Sequence, residues 1–267
     1  MIDLCIIGKS EHTFPVPDSW EDLTPPQFRA ACECRMRGLL KLDYPDALVR
    51  RVLGIPKRVW RKIPQPQRRW IALDRLAFIA ESKPVFRDNK MPVVRAGLRR
   101  LHGFGDMLSD LTWEEFIYAD TFMLREMFRE AVTVLYRPAG LLTGKKLPFS
   151  DRELENNSRR IDKMDDVAVA AIVTCYMAVR KKAVEEKNRY LFPPSENTYF
   201  DGKLVKDTQQ GKPGAGANWA DAHHILMGDL AYEEPKFLHS KATTILGWLN
   251  RRIKENREAE RRLKKKH

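Results

Sequence analysis

The residue types that could do chemistry are present, but their spacing does not assemble a reaction centre. Gly211-Lys212-Pro213-Gly214-Ala215-Gly216 has the glycine density of a phosphate-cradling loop. No Gly-Lys-Ser/Thr follows and no strand pattern precedes it, so it reads as a linker. Asp221-Ala222-His223-His224 offers ligand atoms for a metal. Adjacent histidines on a helix point about 100° apart, and no third ligand stands at i+3 or i+4, so helix polarity behind a capping Asn218 explains the run better. His102, Asp106 and Ser109 carry the side chains of a hydrolytic triad without a nucleophile-elbow motif. Asp165-Asp166 begins a helix, where negative charge stabilises the positive end of the macrodipole, and this outweighs a paired-carboxylate reading. No catalytic group, metal site or cofactor is assigned, and the chain is expected not to be an enzyme.

Charge is the more informative chemistry. The 267 residues hold 48 Lys plus Arg against 36 Asp plus Glu, a formal +12, with 43% hydrophobic residues. That hydrophobic content suits one large domain or two small ones and excludes full disorder. The excess is uneven. Residues 35–100 carry 18 basic and 5 acidic residues, residues 251–267 carry 9 and 3, and residues 106–130 carry 2 and 7. The candidate contacts for a polyanion or an acidic partner are Arg50, Arg51, Lys57, Arg58, Arg61, Lys62, Arg68 and Arg69. Trp60 and Trp248, each on a strongly basic helix, are candidate apolar anchors for a partner, with core burial the competing reading. Residues 47–62 have the outline of a helix-turn-helix, but Arg50 occupies the usually small buried position before Gly54 and Pro56 opens the second helix, so specific DNA reading is disfavoured. A solvated basic face and non-specific phosphate contact stay open, as does self-association through the charge dipole.

The elements that must position these residues are mostly helices. Residues 1–16 alternate as a short hairpin with a turn at Gly8-Lys9-Ser10. Thr24 caps a helix that Gln27 completes as a capping box and Leu23 staples to Phe28, and it is expected to reach about Leu42. Asp46 to Leu53 is a helix ended by Gly54, Pro56 begins another, and Gln67 to about Ser82 forms a third with Trp70, Leu73, Ala77 and Ala80 as core. Residues 84–93 read as a small hairpin turning at Asp88-Asn89, and 97–105 as a loop. Thr112 and Glu115 repeat the capping box, with the helix expected to run to about Tyr136. Convergence of well-capped helices accounts for this likeness at least as well as an ancient duplication. Helices from Asp151 and from Asp165 to about Asn188 follow, then a flexible excursion over 192–216, and two closing helices, 218–232 and 236 to the tail. The expected class is mainly α, an irregular multi-helix domain with one or two small β-hairpins: a core over 1–191, a flexible loop over 192–216, and a C-terminal helical pair over 217–267 packing on that core.

Four cysteines lack Cys-x-x-Cys spacing and are expected to be reduced structural thiols. The N-terminus lacks the pattern of a secretory signal, and the near-apolar run Val167 to Val179 is too short to span a bilayer, so no membrane partner is expected.

The order of features adds a resemblance. Pro17-Asp18-Ser19-Trp20-Glu21-Asp22-Leu23-Thr24 with Gln27-Phe28 is followed by Leu111-Thr112-Trp113-Glu114-Glu115-Phe116-Ile117-Tyr118-Ala119-Asp120. Then come Val134-Leu135-Tyr136-Arg137-Pro138, Leu147-Pro148-Phe149, the region around Trp219 and Thr243-Thr244-Ile245-Leu246-Gly247-Trp248-Leu249. Together these resemble a group of mostly helical tail-module proteins encoded in phages and prophages of Bacteroidetes-type bacteria. The resemblance is diffuse, covers most of the chain and transfers no catalytic residue. It implies a tail-assembly protein in the cytoplasm of a bacterial host or associated with the virion. A tape-measure or tube protein is the implied partner, and a chaperone-like role toward it the finer expectation. The chain departs from the group in being more basic over 35–100, which leaves a nucleic-acid role as the alternative.

Overall fold

The computed structural model describes residues 2–6, 12–37, 46–140, 146–192, 199–200, 203–204, 219, 223 and 233–264. Strand β1 (Ile2–Ile6) pairs antiparallel with β2 (His12–Val16), in register from Ile2 opposite Val16 to Ile6 opposite His12. The turn predicted at Gly8-Lys9-Ser10 lies outside the described residues. Helix α1 (Pro25–Met36) starts where its sequence dictates. The Gln27 carboxamide oxygen accepts from the Thr24 N–H at 3.0 Å and from its hydroxyl at 2.6 Å, and Leu23 and Phe28 are both buried. Arg37 caps its C-terminus, so the helix ends before Leu42, and 38–45 lie outside the described residues.

Helices α2 (Asp46–Leu53) and α3 (Lys57–Trp60) flank Gly54. Gly54 donates to the Arg51 carbonyl at 3.2 Å and Ile55 donates to the Arg50 carbonyl at 3.1 Å, the double bond of a Schellman cap with Gly54 at φ +69°. The next predicted helix is two: α4 (Gln65–Arg75) and α5 (Ala77–Glu81), separated by Leu76 at φ −109°. Pro66 lies inside the first turn of α4 instead of preceding it. The buried side is Ile71, Ala72, Leu76 and Ile79, whereas Trp70 and Leu73, expected as core, are exposed.

The second hairpin is not the predicted one. Asn89 is a buried anchor instead of a turn residue: its carboxamide donates to the Phe104 carbonyl at 2.6 Å and accepts the Met91 N–H at 2.8 Å. With Asn89 engaged inward, the strands form downstream. Strand β3 (Val93–Ala96) pairs with β4 (Arg99–His102) across Gly97-Leu98, and Gly97 supplies φ +61° at the first position of this two-residue turn. Residues 97–105, expected as a loop, therefore include a strand, and β4 continues the sheet to β5 (Arg137–Pro138). A two-residue pair, β6 (Tyr199–Phe200) with β7 (Lys203–Leu204), falls within the excursion predicted over 192–216.

After a single 3₁₀ turn over Asp106–Leu108, the predicted 112–136 helix is interrupted. Helix α6 (Trp113–Leu124) and α7 (Phe128–Leu135) pack against one another across a break at Arg125–Met127. Helices α8 (Asp151–Ile161) and α9 (Asp166–Arg180) follow, capped by Ser150 and Asp165, and α9 widens into a π-helical turn over Lys181–Glu185. Helix α9 is the axis of the core, packing against α1 and α7. Phe104 joins it to α7, edge-on to Tyr136 at 6.1 Å and to Tyr176 at 5.7 Å.

The C-terminal helices α10 (Glu234–Leu238) and α11 (Ala242–Lys264) contact α6. Trp113 donates its backbone N–H to the Ser240 carbonyl at 2.7 Å, and Ala242 donates to Leu111 at 2.9 Å. The class is mainly α with small antiparallel β elements. The helix predicted over 218–232 lies outside the described residues except for Trp219 and His223.

Candidate interaction surface

The eight basic residues singled out above separate into two groups. Arg50 donates to the Ile55 carbonyl at 3.0 Å and so braces the Gly54 turn. Arg51 pairs with Glu33 of α1 at 2.6 Å. Arg68 is the most engaged: Nε donates to the Ile63 carbonyl at 2.7 Å, Nη2 to the Arg61 carbonyl at 3.0 Å, and Nη1 pairs with Asp46 at 2.9 Å. Its guanidinium also lies 5.7 Å from the centre of the Trp60 ring. These three arginines fasten α1, α2, α3 and α4 together. Lys57, Arg58, Arg61, Lys62 and Arg69 are exposed and form no ion pair with a described residue, so they are the part of the set open to an anion.

The two tryptophans also part company. Trp60 is 2% exposed, sandwiched under Arg68, and is a core residue instead of a partner anchor. Trp248 is 53% exposed on α11, with Phe237 of α10 at 6.0 Å. The exposed aromatic that sequence reasoning missed is Trp70, 57% exposed, with Leu73 at 52% one turn further along α4. The 70, 73, 77, 80 spacing resembled a core stripe, yet Ile71, Ala72, Leu76 and Ile79 form a competing stripe at the same period. The distinguishing residue is Arg68: its fork reaches the Ile63 and Arg61 carbonyls of the segment between α3 and α4, on the side of α4 away from Trp70.

The acidic counterweight is weaker on the surface than in the sequence. Glu115 is buried in an ion pair with Arg137, and Asp120 is buried in one with Arg180. Burial works against the Arg180 charge, and the Asp120 carboxylate more than offsets it, holding the guanidinium above its usual range. The Trp219 indole N–H donates to Asp120 at 2.5 Å, and its ring packs at 5.7 Å and 5.2 Å from Trp113 and Phe116. Asp110 lies 3.4 Å from the Lys146 ammonium, whose pKa burial depresses against the pull of Glu115 and Asp110.

The remaining chemistry-bearing residues hold structure. His223 accepts the Trp113 indole N–H at 3.2 Å through Nδ1 and meets Glu234 at 3.2 Å through Nε2, so both ring nitrogens are engaged. Asp165 caps α9 and pairs with Arg29 at 2.8 Å, and Asp166 pairs with Arg129 at 2.6 Å. Asp106 accepts the Asn89 N–H at 2.7 Å, an anchoring contact separate from His102. Cys32, Cys34 and Cys175 are free and buried, with burial pushing each thiol up to about 12. Among the described residues no group of three or more His, Cys, Asp or Glu side chains could hold a metal ion, and no helix is long and apolar enough to cross a membrane. A cleft of about 300 Å³ between Glu21, Phe86, Asp88 and Lys182 has Lys90 committed to it, donating to the Glu21 carbonyl at 2.6 Å above the Phe86 ring. No known protein family, curated protein or solved structure matches the chain.

Proposed function

We propose that this chain is a non-enzymatic phage tail-assembly protein, chaperone-like toward a tape-measure or tube protein, working in the host cytoplasm before or during incorporation of its client. The observation that carries the reading is the exposure of Trp70 and Leu73 on α4, on a helix that also presents Arg69. Exposed tryptophan beside arginine is the composition of interface hot spots, and reversible capture of a client helix asks for apolar anchors and a charged rim more than for chemistry. Trp248 on α11 offers a second such position. The diffuse resemblance to tail-module proteins is the ground for proposing a tail protein as the client. Co-expression with the tail genes encoded alongside it tests the reading: a soluble complex retaining the tape-measure or tube protein is expected, and failure of every tail component to co-purify would overturn it.

A second reading, a basic module contacting nucleic-acid phosphates, is favoured by the five exposed cations between Lys57 and Arg69 and by Lys254, Arg257 and Arg261, spaced three and four apart on the exposed end of α11. It predicts duplex binding whose logarithm falls linearly with that of salt and which disappears when Arg58, Arg61 and Arg69 are neutralised.

A further inference from the structure

We infer that the outer face of α4 is the docking site for an acidic amphipathic helix of the client, an inference that rests on the assembly reading above. Helix α4 has two apolar faces, and only one is needed to hold it in the fold. Ile71 and Ala72, with Leu76 just beyond them, are buried against the core. Pro66, Trp70 and Leu73 recur at four- and three-residue spacing on the other side, with Trp70 and Leu73 more than half exposed. An apolar strip two turns long is the complement of a helix that presents its own anchors at i, i+3 or i+4, and i+7.

Charge selects the occupant. Arg61 and Lys62 immediately precede α4 and Arg69 stands beside Trp70, all three exposed, so the N-terminal half of the strip is bordered by cations. Asp74, paired with Arg75 at 3.1 Å, flanks its C-terminal half, and Glu81 lies exposed beyond it. A client helix is therefore held with its carboxylates over Arg69 and away from Glu81, which fixes direction as well as affinity. A second copy of the chain is a poorer occupant, because Glu115 and Asp120, from its most acidic stretch, are buried in ion pairs. Nucleic acid is a poorer occupant as well, because Leu73 has no π face on which a base can stack.

The test uses the full chain and a synthetic helical peptide of about 20 residues, with leucines at i, i+3, i+4 and i+7 and flanking glutamates. A scrambled peptide of the same composition, its lysine counterpart and a DNA duplex serve as comparisons. Fluorescence anisotropy is expected to show binding of the acidic amphipathic peptide alone, weakened at least about tenfold by Trp70→Ala, Leu73→Ala or Arg69→Glu and unchanged by Leu98→Ala, at a fully exposed leucine of the β3–β4 turn. Because the three positions are exposed, each variant is expected to melt with the parent, and this is checked by circular dichroism. In the free protein, Trp70→Phe should remove one of the two acrylamide-accessible emissions, the other being that of Trp248. Equal binding of the scrambled peptide, preference for the duplex, indifference to Trp70→Ala, or a Trp70 shielded in the free protein would each overturn the site. A failed peptide assay alongside a co-purifying tail protein overturns the docking site alone, whereas peptide capture without any tail partner overturns the assembly reading alone.

Discussion

Glu115 does two jobs with its two carboxylate oxygens. Oε2 accepts the Thr112 N–H at 2.9 Å and closes the α6 capping box, while Oε1 takes the Arg137 guanidinium inside the core. Arg137 also donates to the Val134 carbonyl at 2.5 Å and to Leu147 at 2.8 Å, so one side chain joins α6, the end of α7 and the 146–150 segment. Removing it strands a buried carboxylate, a change that costs roughly 3–5 kcal/mol in comparable sites. Arg137→Met should lower the urea midpoint accordingly, and Glu115→Gln, which keeps an acceptor for the cap, should lower it less. The thiols give a pH dependence of definite sign. Folding raises the pKa of Cys32, Cys34 and Cys175 from 9.0 to about 12 through burial, so the folded state disfavours the thiolate. Their contribution is intact below pH 9 and is lost as pH rises from there toward 12, by roughly 2 kcal/mol per thiol at about pH 10.5. Burial pushes Tyr136 and Tyr176 in the same direction. Thermal melts should therefore fall steeply above pH 9, less steeply in Cys32→Ala, and native thiols should stay unreactive toward iodoacetamide at pH 8.

At the scale of elements, the capped helix starts were legible and several stops were not: α1 ends at Met36 instead of about Leu42, the 67–82 helix breaks at Leu76, and the 112–136 helix breaks after Leu124. Thr24, Thr112 and Asp165 stand at the N-terminal boundaries expected of them, and Ser150 caps the helix expected from Asp151, because a cap is a local bond between near neighbours. The stop after α2 was equally plain in Gly54. The stop after α6 has the same hydrogen bonds, Glu126 donating to the Met123 carbonyl at 3.2 Å and Met127 to Phe122 at 2.9 Å, yet the left-handed position is Glu126 at φ +59°. Tertiary packing of α7 on α6 imposes that turn, so the local sequence reads through it as one helix to Tyr136. Glu126→Gly should then stabilise the protein by about 0.5–1 kcal/mol, since glycine adopts this conformation without a Cβ clash. Gly54→Ala should destabilise by about 1–2 kcal/mol, with strained φ and a new Cβ 3.0 Å from the Gln27 side chain. Paired urea titrations of the two variants check both signs. Trp60 and Trp70 both sit in basic, helical sequence, and Arg68, bonded to the Ile63 and Arg61 carbonyls and paired with Asp46, lies over Trp60 while Trp70 stays exposed.

For the whole molecule, the uneven charge visible in the sequence survives on one side only. Much of the basic excess stays on the outside of α3, α4 and α11, whereas part of the acidic stretch is folded inward as counter-ions for Arg137 and Arg180. The predicted charge dipole therefore becomes a basic surface around a core that is internally compensated, a redistribution no local pattern could reveal because both pairings span long sequence separations. Helix α11 makes this separation of roles testable. Ala242, Ile245, Leu246 and Leu249 are buried against the core, and Asn250 accepts the Tyr190 N–H at 2.9 Å, but every described side chain from Lys254 to Leu263 is exposed. Its first half is a structural brace and its second half is surface. Ending the chain after Ile253 should shift the melting temperature by no more than about 2 °C, in keeping with surface changes of about 0.5 kcal/mol, while removing most of the basic tail. Ending it after Ser240 exposes the α6 face that three large aliphatic side chains covered, at about 1.5–3 kcal/mol for each, and should leave little folded protein by circular dichroism. If the shorter truncation proved as damaging as the longer one, the outer half of α11 would have to be part of the core, and its cations would no longer be available as a surface for partners.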